Sequence, residues 1–72
     1  MNRKQINGSS QIRSIGYDTV TEMLEIEFAN ESVYQYAGVE PDVYEKMCLS
    51  DFIGKFFNVF IRGGGYPYVK IS

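Results

Sequence analysis

Histidine and tryptophan are absent from this 72-residue chain, cysteine occurs once and proline twice. The lack of histidine removes the commonest general base and the commonest metal ligand. A lone Cys48 excludes an internal disulfide and any zinc site built from several cysteines. Ser9 and Ser10 have no imidazole to activate them, and Lys55 stands in no acid or oxyanion pattern, so a serine nucleophile is not expected. No run of about 18 apolar residues is present, which excludes a membrane-spanning helix. The basic N-terminus lacks the apolar stretch of a secretory signal. A cytoplasmic protein without metal, cofactor or catalytic site is the expectation.

What is present is ordinary globular material, with 44% hydrophobic and 22% charged residues. A chain this short buries roughly 60% of its unfolded surface. That supports one small domain over residues 1–72 and makes a homo-oligomer the expected state. The charge is uneven. Residues 1–17 carry Arg3, Lys4 and Arg13 without an acid. Residues 18–51 carry all nine acids and only Lys46. Residues 52–72 carry Lys55, Arg62 and Lys70, again without an acid. If the ends converge, they form a positive patch on a body of net charge −2. Such a patch attracts an anion locally while the far field repels a long polyanion. Duplex DNA, which asks for several phosphate-neutralising cations, is therefore not an expected partner. The plainer alternative is that the segregated charges only offset one another between neighbouring strands.

The expected fold is α+β. Residues 1–10 are polar and include Gly8, Ser9 and Ser10, so they are assigned to an N-terminal arm. Residues 11–17 are strand-like, and Asp18 opens a turn by bonding backbone two residues on. In residues 22–28, Leu24, Ile26 and Phe28 alternate with Glu25 and Glu27, which predicts a strand with the glutamates on a solvent face. Residues 33–37 form a third strand, with Tyr34 and Tyr36 on one face about 7 Å apart. The connections are too short for parallel crossovers, so the three make an antiparallel meander. Pro41 suits a first helical turn, and the i,i+4 spacing of Val43 and Met47 predicts a helix over 40–49. Ser50 is the expected N-cap of a second helix over 51–60. Phe52, Phe56, Val59 and Phe60 are its expected buried face, with Lys55, Asn58 and Arg62 towards the other side. Gly63, Gly64 and Gly65 stop it, and residues 66–71 return as a C-terminal edge strand, where Pro67 is tolerated.

Three features could carry chemistry. The glycines after Arg62 are not a phosphate loop, since no Gly-Lys-Ser/Thr follows and they end a helix instead of starting one. Arg62 itself can pair bidentately with phosphate. Tyr34 and Tyr36 either stack a nucleobase or roof the core with their hydroxyls at its rim. Cys48 lies on the apolar side of a short helix and reads as a core residue.

The succession Ile12-Arg13-Ser14-Ile15-Gly16-Tyr17-Asp18, Leu24 to Phe28, Val33-Tyr34-Gln35-Tyr36, and Gly54-Lys55-Phe56-Phe57-Asn58 with Ile61-Arg62 and Tyr66 resembles the KTSC domain. That family is named for the C-terminus of some lysyl-tRNA synthetases and also occurs as small stand-alone proteins in bacteria and phages. The resemblance implies RNA or nucleotide binding. With the basic ends, it points to Arg13, Lys55, Asn58 and Arg62 as the anion-meeting set, with Tyr34, Tyr36 and Tyr66 near enough to stack. The expected function is a non-enzymatic module binding nucleotide or nucleic-acid phosphates. A phage-type member could sequester a small cyclic nucleotide between subunits, a symmetric interface doubling the cations. The alternative is a protein-interaction module docking through a strand edge or the aromatic second helix.

Overall fold

In the computed structural model, which describes residues 3–7 and 9–72, five antiparallel strands form one sheet in the order β1-β2-β3-β4-β5. They are β1 (Lys4–Gln5), β2 (Ile12–Asp18), β3 (Met23–Phe28), β4 (Val33–Tyr36) and β5 (Tyr68–Lys70). Helix α1 (Pro41–Leu49) follows β4. Helix α2 (Ile53–Phe56) then runs directly into a π-helical segment, Phe57–Arg62. The chain is thus an α+β fold with both helical pieces on one face of an antiparallel sheet.

The central meander follows from local chemistry. Asp18 turns the chain after β2, its carboxylate accepting the backbone N–H groups of Val20 and Thr21. These two bonds hold its carboxyl below the ordinary aspartate range. The next turn places Glu31 at φ 71, a left-handed conformation that side chains seldom adopt. On β3, Leu24 and Ile26 are fully buried. Their cross-strand partners on β4 are Tyr36 and Tyr34, so the two tyrosines share the core face of the sheet. Tyr36 is buried and Tyr34 is half-buried at the rim.

The N-terminal segment departs from the expected arm. Lys4 and Gln5 pair with Ile15 and Ser14 and add an edge strand. The reason lies on the outer face of the sheet. Continuing that register sets Arg3 opposite Gly16, which has no side chain, so Arg3 reaches across to Glu25 on β3 at 3.2 Å. Gln35 donates to the same carboxylate at 2.9 Å. Glu25 is consequently only 8% exposed, and Glu27 accepts a 2.8 Å bond from Ser14. The expectation that both glutamates face open solvent is corrected accordingly.

The second helix differs more. Ser50 closes α1 and accepts only the Phe52 N–H, so it does not cap a helix starting at residue 51; helical geometry begins at Ile53. The buried residues are Phe57 and Ile61, with Ile53 and the expected Phe56 half-buried against the core, while the expected Phe52, Val59 and Phe60 are exposed. Phe57 is 0% exposed, whereas Phe52 is 72% and Phe60 54% exposed. Both stripes recur at i,i+4, so periodicity alone does not choose between them. The choice is made by the sheet. Phe57 fits edge-on against Phe28 and Tyr36, at 5.4 Å between ring centroids in each case, which is a favoured aromatic geometry.

Helix α1 packs differently, through Met47 and a parallel stack of Tyr44 on Tyr17, 4.5 Å apart. The Tyr17 hydroxyl donates to the Val39 carbonyl, and burial and nearby acids raise its pKa. Burial, with a bond to Cys48, pushes the Tyr44 phenol up to about 12.

Two outcomes follow. Phe57→Ala should cost about 3–5 kcal/mol in chemical denaturation, while Phe60→Ala should stay within about 1 kcal/mol, as surface changes do. Equal losses would contradict the assignment of the buried face. Stability should hold up to about pH 10, where tyrosines of the unfolded chain ionise. It should then fall as pH rises towards 12, because the folded Tyr44 retains its proton while the unfolded one releases it. Tyr44→Phe should weaken that alkaline decline in a pH series of thermal melts.

Candidate anion-binding bowl

The π-helical segment positions the most distinctive cation. Its hydrogen bonds reach the fifth residue, as in Gly63 N–H donating to the Asn58 carbonyl at 3.1 Å. The fifth residue beyond Phe57 therefore returns towards the side that Phe57 occupies, and that residue is Arg62. In an ordinary α-helix it would be turned well away. The end of the segment is tight. A Cβ on Gly64 would lie 2.3 Å from the Phe60 carbonyl oxygen and 2.9 Å from the Tyr66 ring. Gly65 then reverses the chain at φ 78 and leads into β5.

Arg62 borders a hollow of about 190 Å³ walled by Phe28, Tyr34, Tyr36 and Tyr68. An adjoining hollow of about 350 Å³ shares Phe28, Tyr34 and Arg62 and extends over Gln11 and the Ala29–Asn30 turn. The rings are mutually packed, with Tyr68 at 5.9 Å from Tyr34 and 5.4 Å from Tyr36. Among the described residues, Arg62 has no carboxylate within salt-bridge distance. Its charge bears on the tyrosine beneath it. Burial raises the Tyr36 pKa, and the Arg62 guanidinium opposes that rise by favouring the phenolate. The arrangement, one unmatched guanidinium above a bowl of phenol rings, is able to pair with an anion whose organic portion lies flat on an aromatic surface.

The seven residues singled out from the sequence do not all meet. Arg62, Tyr34 and Tyr36 come together. Arg13 reaches the turn beyond the bowl, contacting the Ala29 carbonyl at 3.5 Å and Glu31 at 3.7 Å, so its charge is matched there. Asn58 exchanges two side-chain hydrogen bonds with Gln11, at 3.2 and 3.1 Å, and ties the π segment to the start of β2. Lys55 lines a separate cavity of about 450 Å³ beside Lys4, between the N-terminal segment and the α1–α2 connection. Tyr66 covers Gly64 and packs against the core. The basic ends meet only in part: Lys4 and Lys55 line the same cavity, whereas Arg62 and Lys70 lie elsewhere, β1 and β5 being opposite edges of the sheet.

Phe28, Tyr68 and Lys70 were not anticipated as site residues. Tyr68 and Lys70 lie directly opposite Tyr36 and Tyr34, which puts them on the bowl's face. The signal was the matching spacing of Tyr34-x-Tyr36 and Tyr68-x-Lys70. Only the pairing of β4 with β5, separated by two helical pieces, makes it meaningful.

The coupling between Arg62 and Tyr36 is measurable. Arg62→Gln should move the Tyr36 ionisation to still higher pH, read by NMR of ring-labelled tyrosine, while Arg13→Gln should leave it in place. An unmoved Tyr36 would contradict the position of the guanidinium.

The fold recurs in known proteins. A crystal structure of a KTSC domain protein from Yersinia pestis superposes with a TM-score of 0.91 at 37% identity, covering 99% of this chain and 97% of that one. An uncharacterized protein of Stutzerimonas stutzeri is 36% identical over 64 residues, 89% of this chain and 90% of its own length. A lysine–tRNA ligase of Nostoc punctiforme is 41% identical over 54 residues, 75% of this chain but 10% of the ligase. The sequence profile of the KTSC domain matches residues 8–66. With most of the chain inside that profile and its fold shared end to end with a KTSC structure, the chain belongs to the KTSC domain family.

Proposed function

We propose that this chain is a non-enzymatic binding module whose bowl takes the phosphate of a nucleotide or of single-stranded nucleic acid on Arg62 and stacks the base on exposed Tyr68 and half-buried Tyr34. The observation that carries this reading is the unmatched Arg62 guanidinium bordering Tyr34, Tyr36 and Tyr68. Guanidinium recognises phosphate bidentately, and tyrosine faces stack bases without regard to sequence. Similarity to one segment of a lysine–tRNA ligase is in keeping with a nucleic-acid setting. The net charge of −2 favours a compact ligand over a long polyanion. The same chemistry would let a phage-type member sequester a small cyclic nucleotide between two subunits.

Calorimetric titration at low salt with a cyclic dinucleotide and with a short single-stranded RNA tests this. One of them should bind. Arg62→Gln should weaken binding about tenfold or more, the worth of a charge-assisted hydrogen bond. Tyr34→Ala and Tyr68→Ala should each cost about 1–3 kcal/mol of stacking. Arg13→Gln should have little effect. No binding of either probe, or an Arg62→Gln variant equal to the wild type, overturns the proposal.

A second reading rests on a different surface. Phe52, Val59 and Phe60 are exposed around a shallow groove, a pattern that marks protein contacts. A partner docking there should be lost with Phe60→Ser while nucleotide binding is retained.

A further inference from the structure

The outer edge of β5 is open and self-complementary. Ala37 N–H donates to the Pro67 carbonyl, and Ile71 N–H to the Val33 carbonyl. Antiparallel alternation therefore turns the backbone of Val69 towards β4 and the N–H and C=O groups of Tyr68 and Lys70 outward. Among the described residues no strand pairs on that side. Pro67 and Lys70 guard the strand against indiscriminate pairing, but Lys70 is its only charge, and Tyr68, Val69 and Ile71 are all exposed. An edge of this kind is a template for another strand.

We infer that a second copy of this chain pairs there, β5 against β5, about a two-fold axis at Val69, and that the partner's Lys70 completes the bowl. The outward groups limit the register, and an axis at Val69 is the one that uses both Tyr68 and Lys70 within the strand, whereas an axis at Lys70 would oppose two lysines. Tyr68 and Lys70 must form the hydrogen-bonded pairs with the partner, which places each Tyr68 opposite the partner's Lys70 and the two Val69 residues opposite one another. Directly opposed residues share a face. Tyr68 stands on the face of the bowl, so the partner's Lys70 joins that face, beside a phenol ring and in reach of an anion held by Arg62. Each bowl gains a further cation beside Arg62 and its own Lys70, and the sheet becomes ten-stranded. Charge selects this partner over the other edge. Pairing β5 with β1 would set Lys70 against an edge that carries Arg3 and Lys4, and it would propagate without closing. In the β5 pairing no lysine opposes a lysine. The contact is short, so the dimer should dissociate on dilution.

The pairing stands whatever the bowl binds, while the role of the partner's Lys70 rests on the phosphate reading above. Sedimentation equilibrium over roughly a hundredfold range of protein concentration tests the pairing by mass action. The wild type should pass from monomer to dimer. Lys70→Pro removes an outward N–H, which an edge strand tolerates, together with the Lys70 ammonium, and should leave a folded monomer by circular dichroism. Val69→Glu and Val69→Lys should each be monomeric alone, through like charges at the axis, and should form a heterodimer when mixed. A wild type monomeric throughout overturns the inference, as does a Val69→Glu chain that still dimerises. Adding ATP at low salt should tighten the wild-type dimer. A dimer that obeys the Val69 charge swap but ignores ATP keeps the pairing and overturns the role of the partner's Lys70, while the phosphate reading stands or falls with the calorimetric titrations.

Discussion

The seating of Phe57 on the sheet is the contact on which the rest depends. Its ring meets Phe28 and Tyr36 edge-on, and with Ile61 it forms the ridge that closes the core over Leu24 and Ile26. A chain of this size has one core and little surplus stability, so the register of this ridge decides most of what lies around it. Once Phe57 and Ile61 face inward, Phe52, Val59 and Phe60 must face outward. The π-helical turn then carries Arg62 to the same two rings, Phe28 and Tyr36, that Phe57 packs against. Core packing and the candidate site are in this way two consequences of one choice of helix face.

Charge is handled by separation instead of by dense ion pairing. Glu25 is drawn under Arg3 and Gln35 on the outer sheet face, and Glu27 is engaged by Ser14. Glu31 takes up Arg13 at the turn. An exposed pair of that kind contributes little stability, but it does remove Arg13 from competition for an external anion. Arg62 is left on the opposite face, bordered by aromatic rings and without a carboxylate among the described residues within salt-bridge distance. An acidic chain thereby presents a locally positive spot whose walls are aromatic and flat.

The elements with local causes were legible in the sequence. Strict alternation marked the third strand, Asp18 marked its preceding turn, and Pro41 marked the start of the first helix, each within a residue or two of the structure. What misled were features whose meaning depends on distant neighbours. The N-terminal segment has no strand pattern of its own and becomes β1 through pairing with β2 and the reach of Arg3 across Gly16. The aromatic second helix carries apolar residues on too many sides for its amphipathic face to be read. Of the proposed site residues, Arg62, Tyr34 and Tyr36 were recoverable as residue types suited to anions and stacking. Asn58 and Tyr66 were recognised as polar or aromatic, yet their side chains are occupied with Gln11 and with covering Gly64.

The amino-acid order by itself determined the meander, the absence of histidine chemistry and the supply of cations and phenols at the two ends, because these follow from alternation, turn chemistry and composition. The tertiary structure alone decided which helix face is buried, that β5 returns beside β4 to bring Tyr68 and Lys70 opposite Tyr36 and Tyr34, and that the cations divide between the Lys4–Lys55 cavity and the Arg62 bowl. The physical reason is that periodicity specifies a face only up to a rotation and a strand only up to a partner. Long-range packing is what removes both freedoms.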